Sequence, residues 1–166
     1  MKITFSDDHR QHFAQGEIYG GELVTPYERP SRIEYVLREL KHRKMNEFAA
    51  PDKLDMRVVR KVHDSGFLEF LETAWAQWQK AGYRGEILPT VFPVPGLSKR
   101  KPRWIDGLVG YYAQGVETAI TAGTWAAATS SAAVALKGQK IVVSGERAAF
   151  APVSYTHLTL PTNREV

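Results

Sequence analysis

The sequence predicts a single globular domain rich in helix, with one or two short strands. Its 166 residues are 43% hydrophobic and 24% charged, a composition that fits one packed core and excludes disordered and collagenous chains. Several stretches repeat apolar side chains at the helical period. Only the opening residues, and more ambiguously Lys140-Ile141-Val142-Val143, read as strand.

Lys2-Ile3-Thr4-Phe5 is the first short strand. A polar, aromatic loop follows through Ile18, Tyr19, Gly20, Gly21 and on to Pro26. Pro30-Ser31 then opens a helix: Ser31 and Glu34 have the spacing of a capping box, and Ile33, Val36, Leu37 and Leu40 form one apolar face. A second helical pattern runs from about Asp55 to Val62, with Met56, Val59 and Val62 on one side. The third helix, Phe67 to Lys80, carries Phe67, Phe70, Leu71, Ala74, Trp75 and Trp78 as a stripe whose spacing marks a buried face. Gly82 stands at its C-cap.

Between Tyr83 and Trp104 the residues Pro89, Pro93, Pro95, Gly96 and Pro102 exclude regular structure. Yet Ile87, Leu88, Val91, Phe92, Val94 and Leu97 are too apolar for a solvated linker. Exposed apolar groups on such a loop point to a partner surface. Ile105 to Thr118 and Thr124 to about Leu136 read as two more helices, the second rich in alanine and so suited to close packing. Periodicity alone leaves Lys140–Val143 as either more helix or a strand.

Composition excludes several chemistries. With no cysteine, disulfide frameworks, thiolate metal sites and cysteine nucleophiles are absent. The amino terminus lacks an apolar export segment, and no run approaches ~18 apolar residues, so the expectation is a cytoplasmic protein with no membrane partner. A net charge of +4 permits an anionic partner without requiring one. His9 and His12 stand three apart and could face one metal, but no spaced ligand motif surrounds them, and a polar surface segment is the plainer expectation. His42 lies among bases at a helix end, and His63-Asp64 reads as a turn. Lys99-Arg100-Lys101-Pro102-Arg103-Trp104 is a basic run beside an aromatic, the feature that an alternative reading as a small nucleic-acid-binding or protein-interaction module would use. Asp106 and Glu117, about three turns apart on the expected helix, could share a face. Carboxylates beside Tyr111 and Tyr112 suit a cationic, partly apolar ligand.

The last residues stand apart. Pro152 to Thr162 back-translates into the end of a common sequencing-library adapter read in one open frame, so residues 152–166 are expected to be a non-native tail and the natural sequence to depart after Ala151.

Taken as a set, Tyr19-Gly20-Gly21-Glu22-Leu23-Val24, Pro30 with Arg32, Val62-His63-Asp64 with Gly66, Leu68 and Phe70-Leu71-Glu72-Thr73-Ala74-Trp75, and Gly110-Tyr111-Tyr112 with Glu117-Thr118-Ala119-Ile120 resemble the acetylpolyamine amidohydrolases of the histone deacetylase superfamily. The resemblance covers essentially all of residues 1–151. It implies an α/β fold: the truncated amino-terminal part of a three-layer arginase/deacetylase-type fold with a parallel sheet, its helices mostly retained.

It also implies a zinc-dependent hydrolysis of acetylated polyamines or similar small acetylated amines. The zinc ligands and other catalytic residues would lie beyond Ala151, so no catalytic or metal residue falls in this chain, the metal belongs to the full-length parent, and none is expected here. Tyr19, Asp106 and Glu117 match positions lining the family's substrate channel, with Asp106 one methylene shorter than the glutamate the family can carry. Arg32 matches a position of the acetate-release channel. Residues 83–104 match the insertion that forms the family's dimer contact, which implies a homodimer in the parent; nucleic acid is not an implied partner.

Overall fold

The computed structural model describes residues 1–96 and 100–153, and places β1 (Lys2–Thr4) at the centre of a three-stranded parallel sheet. β4 (Phe48–Ala49) flanks it on one side, in the register Ile3 to Phe48, and β5 (Ala149–Phe150) on the other, with Ile3 opposite Phe150. The Ile3 amide donates to the Glu47 carbonyl at 2.8 Å, and the Phe5 amide to Ala49 at 3.1 Å. Parallel neighbours need crossovers, and helices supply them. α1 (Pro30–His42) lies between β1 and β4 in the chain, and α5 (Thr124–Val143) precedes β5.

The apolar face expected of α1 is the one it buries. Ile33, Leu37 and Leu40 join Ile3 in a core that Phe5, Val36, Met45 and Phe150 partly cover. Each such side chain contributes roughly 1.5–3 kcal/mol when fully withdrawn from water. The capping box does not form. The helix begins a residue earlier, with Pro30 in its first turn and no side-chain cap from Arg29. Proline supplies the correct φ there and has no amide to satisfy. Glu34 is instead taken by Arg10, 2.7 Å away.

α5 settles the ambiguous segment: Lys140–Val143 is its last turn. Its buried residues are small (Ala127, Ala128, Ser131, Ala133 and Gly138 among them), and it lies against β1, β5 and a short 3₁₀ helix, Asp7–Gln11. Lys137 and Lys140 both reach Asp52, at 2.8 and 3.0 Å. These elements form one compact unit, residues 1–13, 27–56 and 123–153.

The second unit comprises residues 14–26 and 57–122. Part of the expected aromatic loop is a hairpin of β2 (Glu17–Tyr19) and β3 (Glu22–Val24). Gly20 and Gly21 turn it at φ +60° and +85°, the left-handed pair that a two-residue turn of this hand requires. The expected second helix shrinks to one turn, α2 (Met56–Val59). α3 (Ser65–Lys80) is capped by Asp64, whose carboxylate accepts from the Phe67 amide at 2.9 Å. It buries Phe67, Leu68, Phe70, Leu71 and Ala74, leaving Trp75 and Trp78 half-buried.

α4 (Ile105–Tyr112) packs on α3, with the Tyr112 ring stacked on Phe70 at 5.0 Å between centroids. The expected helix to Thr118 is therefore too long. Ala113 is already extended, and Ile120 pairs antiparallel with Ile87 through amide–carbonyl bonds of 2.9 and 3.0 Å. That pairing gives the 83–104 loop a buried anchor of its own, because Ile87 is completely buried, so its apolar residues do not all belong to a partner surface. Among the described residues no helix is long and apolar enough to cross a membrane. Of the expected non-native tail, residues 154–166 lie outside the described residues, as do Leu97, Ser98 and Lys99.

Candidate functional site

Tyr19, Asp106 and Glu117 all belong to the second unit, and the fold presents each at its surface. Tyr19 ends β2 immediately before the diglycine turn, its ring 60% exposed. Asp106 occupies the first turn of α4, where the helix dipole favours an anion, and its carboxylate accepts from the Gly107 amide at 2.8 Å. Glu117 follows in the bend between α4 and the Ile120 pairing. Because α4 stops at Tyr112, Asp106 and Glu117 do not share a helical face, which corrects the three-turn spacing argument. Both carboxylates are exposed, and among the described residues neither enters an ion pair. They are thus open to a cation from solvent.

The surroundings of Glu117 are tight on one side. A methyl group built on Gly115 would overlap its carboxylate, so the acid folds back over a residue that has no side chain. Tyr111 and Tyr112, the aromatic neighbours singled out in the sequence, meet edge to face at 4.9 Å. Tyr112 faces inward onto α3, and its hydroxyl closes against Gly66. The Lys101 ammonium lies 5.6 Å from the Tyr112 ring centre, and a hydrogen bond to the Tyr112 hydroxyl holds its pKa above the ordinary lysine value.

Elsewhere in residues 100–104 the surface is more open. Trp104 is 79% exposed at the start of α4, and Arg100 and Arg103 are exposed beside it. Glu86, an acid close to this run in sequence, is already engaged, its two carboxylate oxygens accepting from the Gln15 amide at 2.9 and 3.0 Å. Val91, Phe92 and Val94 point outward from the same loop.

Arg32 belongs to the first unit, on the first turn of α1, where it pairs with Glu28 four residues earlier. The histidines of that unit depart from expectation. His9 and His12 do not form a polar surface segment; they are 6% and 2% exposed. His12 Nδ1 lies 2.6 Å from the Thr124 hydroxyl at the start of α5, and burial pushes the ring's pKa down to about 4. His9 Nδ1 lies 3.0 Å from the Ser6 carbonyl, and its Nε2 stands 3.5 Å from a Glu34 oxygen without hydrogen-bond geometry. No apolar period announces either burial, because the histidines sit on and beside a short 3₁₀ segment that follows no helical pattern.

A zinc centre of the kind the resemblance implies has no fit to these residues. Among those described, no three His, Asp, Glu or Cys side chains converge on a point where a metal could sit. The second unit presents two solvent-facing carboxylates and a tyrosine, groups whose chemistry suits a cationic, partly apolar ligand.

Comparison with known proteins bears on the chain as a whole. No protein-family model matches the sequence. The chain is 47% identical over 150 residues to an acetylpolyamine amidohydrolase of Mycoplana ramosa, and 41% identical over 150 residues to acetylpolyamine amidohydrolase 2 of Pseudomonas aeruginosa. Each match covers 90% of this chain and 44% of the relative. A crystal structure of an acetylpolyamine aminohydrolase from Burkholderia pseudomallei superposes with a TM-score of 0.81 at 24% identity, over 91% of this chain and 44% of that one. The chain therefore spans less than half the length of the proteins it matches, and its fold is the corresponding part of their α/β architecture.

Proposed function

We propose that this chain, a relative of the acetylpolyamine amidohydrolases in sequence and in fold, is the amino-terminal part of an enzyme that hydrolyses acetylated polyamines or similar small acetylated amines. The observation that carries this reading is the identity of 47% sustained over 90% of the chain. The exposed Tyr19, Asp106 and Glu117 support it, being groups that attract and orient a slender cation. Their part is binding: the carboxylates take the charged amines and the tyrosine flanks the methylene chain. Arg32, on α1, would attract the acetate that hydrolysis releases. In the whole enzyme a bound zinc ion would supply the Lewis acid for amide hydrolysis. We assign the metal's ligands to residues beyond 151, and the 83–104 loop to a homodimer contact.

Calorimetric titration of the 166-residue chain tests the binding role. N-acetylputrescine is expected to bind more tightly than neutral N-butylacetamide, and Glu117→Ala to remove roughly ten- to a hundredfold of that preference, the worth of one hydrogen bond to a charged group. Equal weakening of both compounds would show that Glu117 serves structure, and this reading of the site would fail.

A further inference from the structure

We infer that Gly115 is a specificity-determining position for the cationic end of the ligand, acting by positioning the Glu117 carboxylate. The inference rests on the proposed binding role of Glu117 and goes beyond it by assigning a second residue to the same discrimination. A Cβ at Gly115 would overlap Glu117 Oε2 and approach the carboxyl carbon to 3.4 Å, and apart from its chain neighbours the nearest atoms it would meet are all of that carboxylate. The space that glycine leaves is thus the space the acid occupies. Gly115 does not take a positive φ, so no left-handed backbone conformation requires glycine there.

The obstacle a larger residue would create is also a movable one. It meets the far end of a flexible side chain rather than backbone, so the bend can persist while the carboxylate swings away. Glutamate two residues on is long enough to fold back onto position 115, whereas aspartate is a methylene shorter. Glycine at 115 and glutamate at 117 therefore form a matched pair. The glycine leaves room for the negative charge over position 115, and a side chain there would move that charge.

The Gly115→Ala chain is expected to keep the wild-type affinity for N-butylacetamide and to lose roughly tenfold in its preference for N-acetylputrescine, since displacement of a single group by about an ångström can cost up to a hundredfold. The Glu117 carboxyl carbon resonance should shift while the amides of α4 stay in place. In a Glu117→Gln background, Gly115→Ala should have no further effect on the preference, because the charge it displaces is gone. An unmoved carboxyl resonance, or equal losses for both compounds, would overturn the inference.

A separate result distinguishes failure of the functional reading: Glu117→Gln alone leaving the preference intact. The carboxyl resonance then still decides whether Gly115 positions Glu117. Should Gly115→Ala not fold, Glu117→Asp is the second variant. It keeps the charge but withdraws it from position 115, and retention of the full preference would sink the proposal.

Discussion

At His12 a ring that titrates near pH 6.5 in water is enclosed by the 3₁₀ helix and the first turn of α5, 2% exposed and 2.6 Å from the Thr124 hydroxyl. Burial disfavours the imidazolium, so the folded chain takes up the proton only near pH 4 while the unfolded chain takes it up near 6.5. Between those values the unfolded state binds more protons, and stability rises with pH. Acidification from pH 7 to pH 4 should therefore cost about 3 kcal/mol from this one ring, at about 1.4 kcal/mol for each pH unit that separates the two titrations. His63, whose pKa burial also lowers, acts in the same direction. Glu34, Asp52 and Glu146 are held below the usual carboxylate range by Arg10, by Lys137 with Lys140, and by Lys2, so their contributions are lost only at still lower pH. Urea unfolding at pH 7 and pH 4.5 isolates the His12 share by comparison with His12→Gln, which should lose much less stability on acidification. Parallel losses in the two proteins would mean that His12 is not the responsible group.

At the scale of elements, α4 packs on α3 and also makes a close backbone approach at Gly110. A Cβ at Gly110 would fall on the Val91 carbonyl, which is backbone and has no rotamer to yield. Gly110→Ala should therefore destabilise the chain by ~3 kcal/mol, seen as a fall in Tm of about 6–12 °C. Gly85→Ala, with nothing near its Cβ, should leave Tm essentially unchanged. A Gly110→Ala melt matching that of Gly85→Ala would contradict this packing. The elements also differ in how far residues alone disclose them. α1 and α3 are legible because their burial repeats every three or four residues over several turns. β4 and β5 are not, at two residues each, too short to show alternation. They exist because Ile3 offers both its edges to them. The parallel sheet thus follows from family resemblance rather than from pattern. The sequence makes α4 too long because Gln114 to Thr118 is compatible with helix locally, while the Ile87–Ile120 pairing, 33 positions apart, demands extended chain. The candidate site shows the same division. Residue types at 19, 106 and 117 can be read directly, but the space above Gly115 that places Glu117 exists only in three dimensions.

At the scale of the whole molecule, a chain that spans 44% of its relatives raises the question of which part of the chemistry it carries. A catalytic zinc needs three protein ligands with an open fourth position, and a structural one needs four. The sequence has no cysteine, so histidine and carboxylate would have to serve. His12 Nδ1 is committed to Thr124, His9 Nδ1 lies on the Ser6 carbonyl, and the His63 ring packs against Phe67 at 6.1 Å. His42 closes α1 among exposed basic residues, where a further cation is repelled. None of these rings meets two other ligands among the described residues, and Asp106 and Glu117 face solvent without a histidine between them. The 166-residue chain, loaded with excess zinc and then desalted, is accordingly expected to retain far less than one equivalent and to release no acetate from N-acetylputrescine. Under the proposed binding role of Tyr19, Asp106 and Glu117 it is nonetheless expected to bind that compound. Metal analysis and an acetate assay on one preparation separate the two properties. One zinc per chain surviving a chelator, or acetate released in proportion to protein, would place catalytic machinery within these residues and refute the division of labour proposed for them.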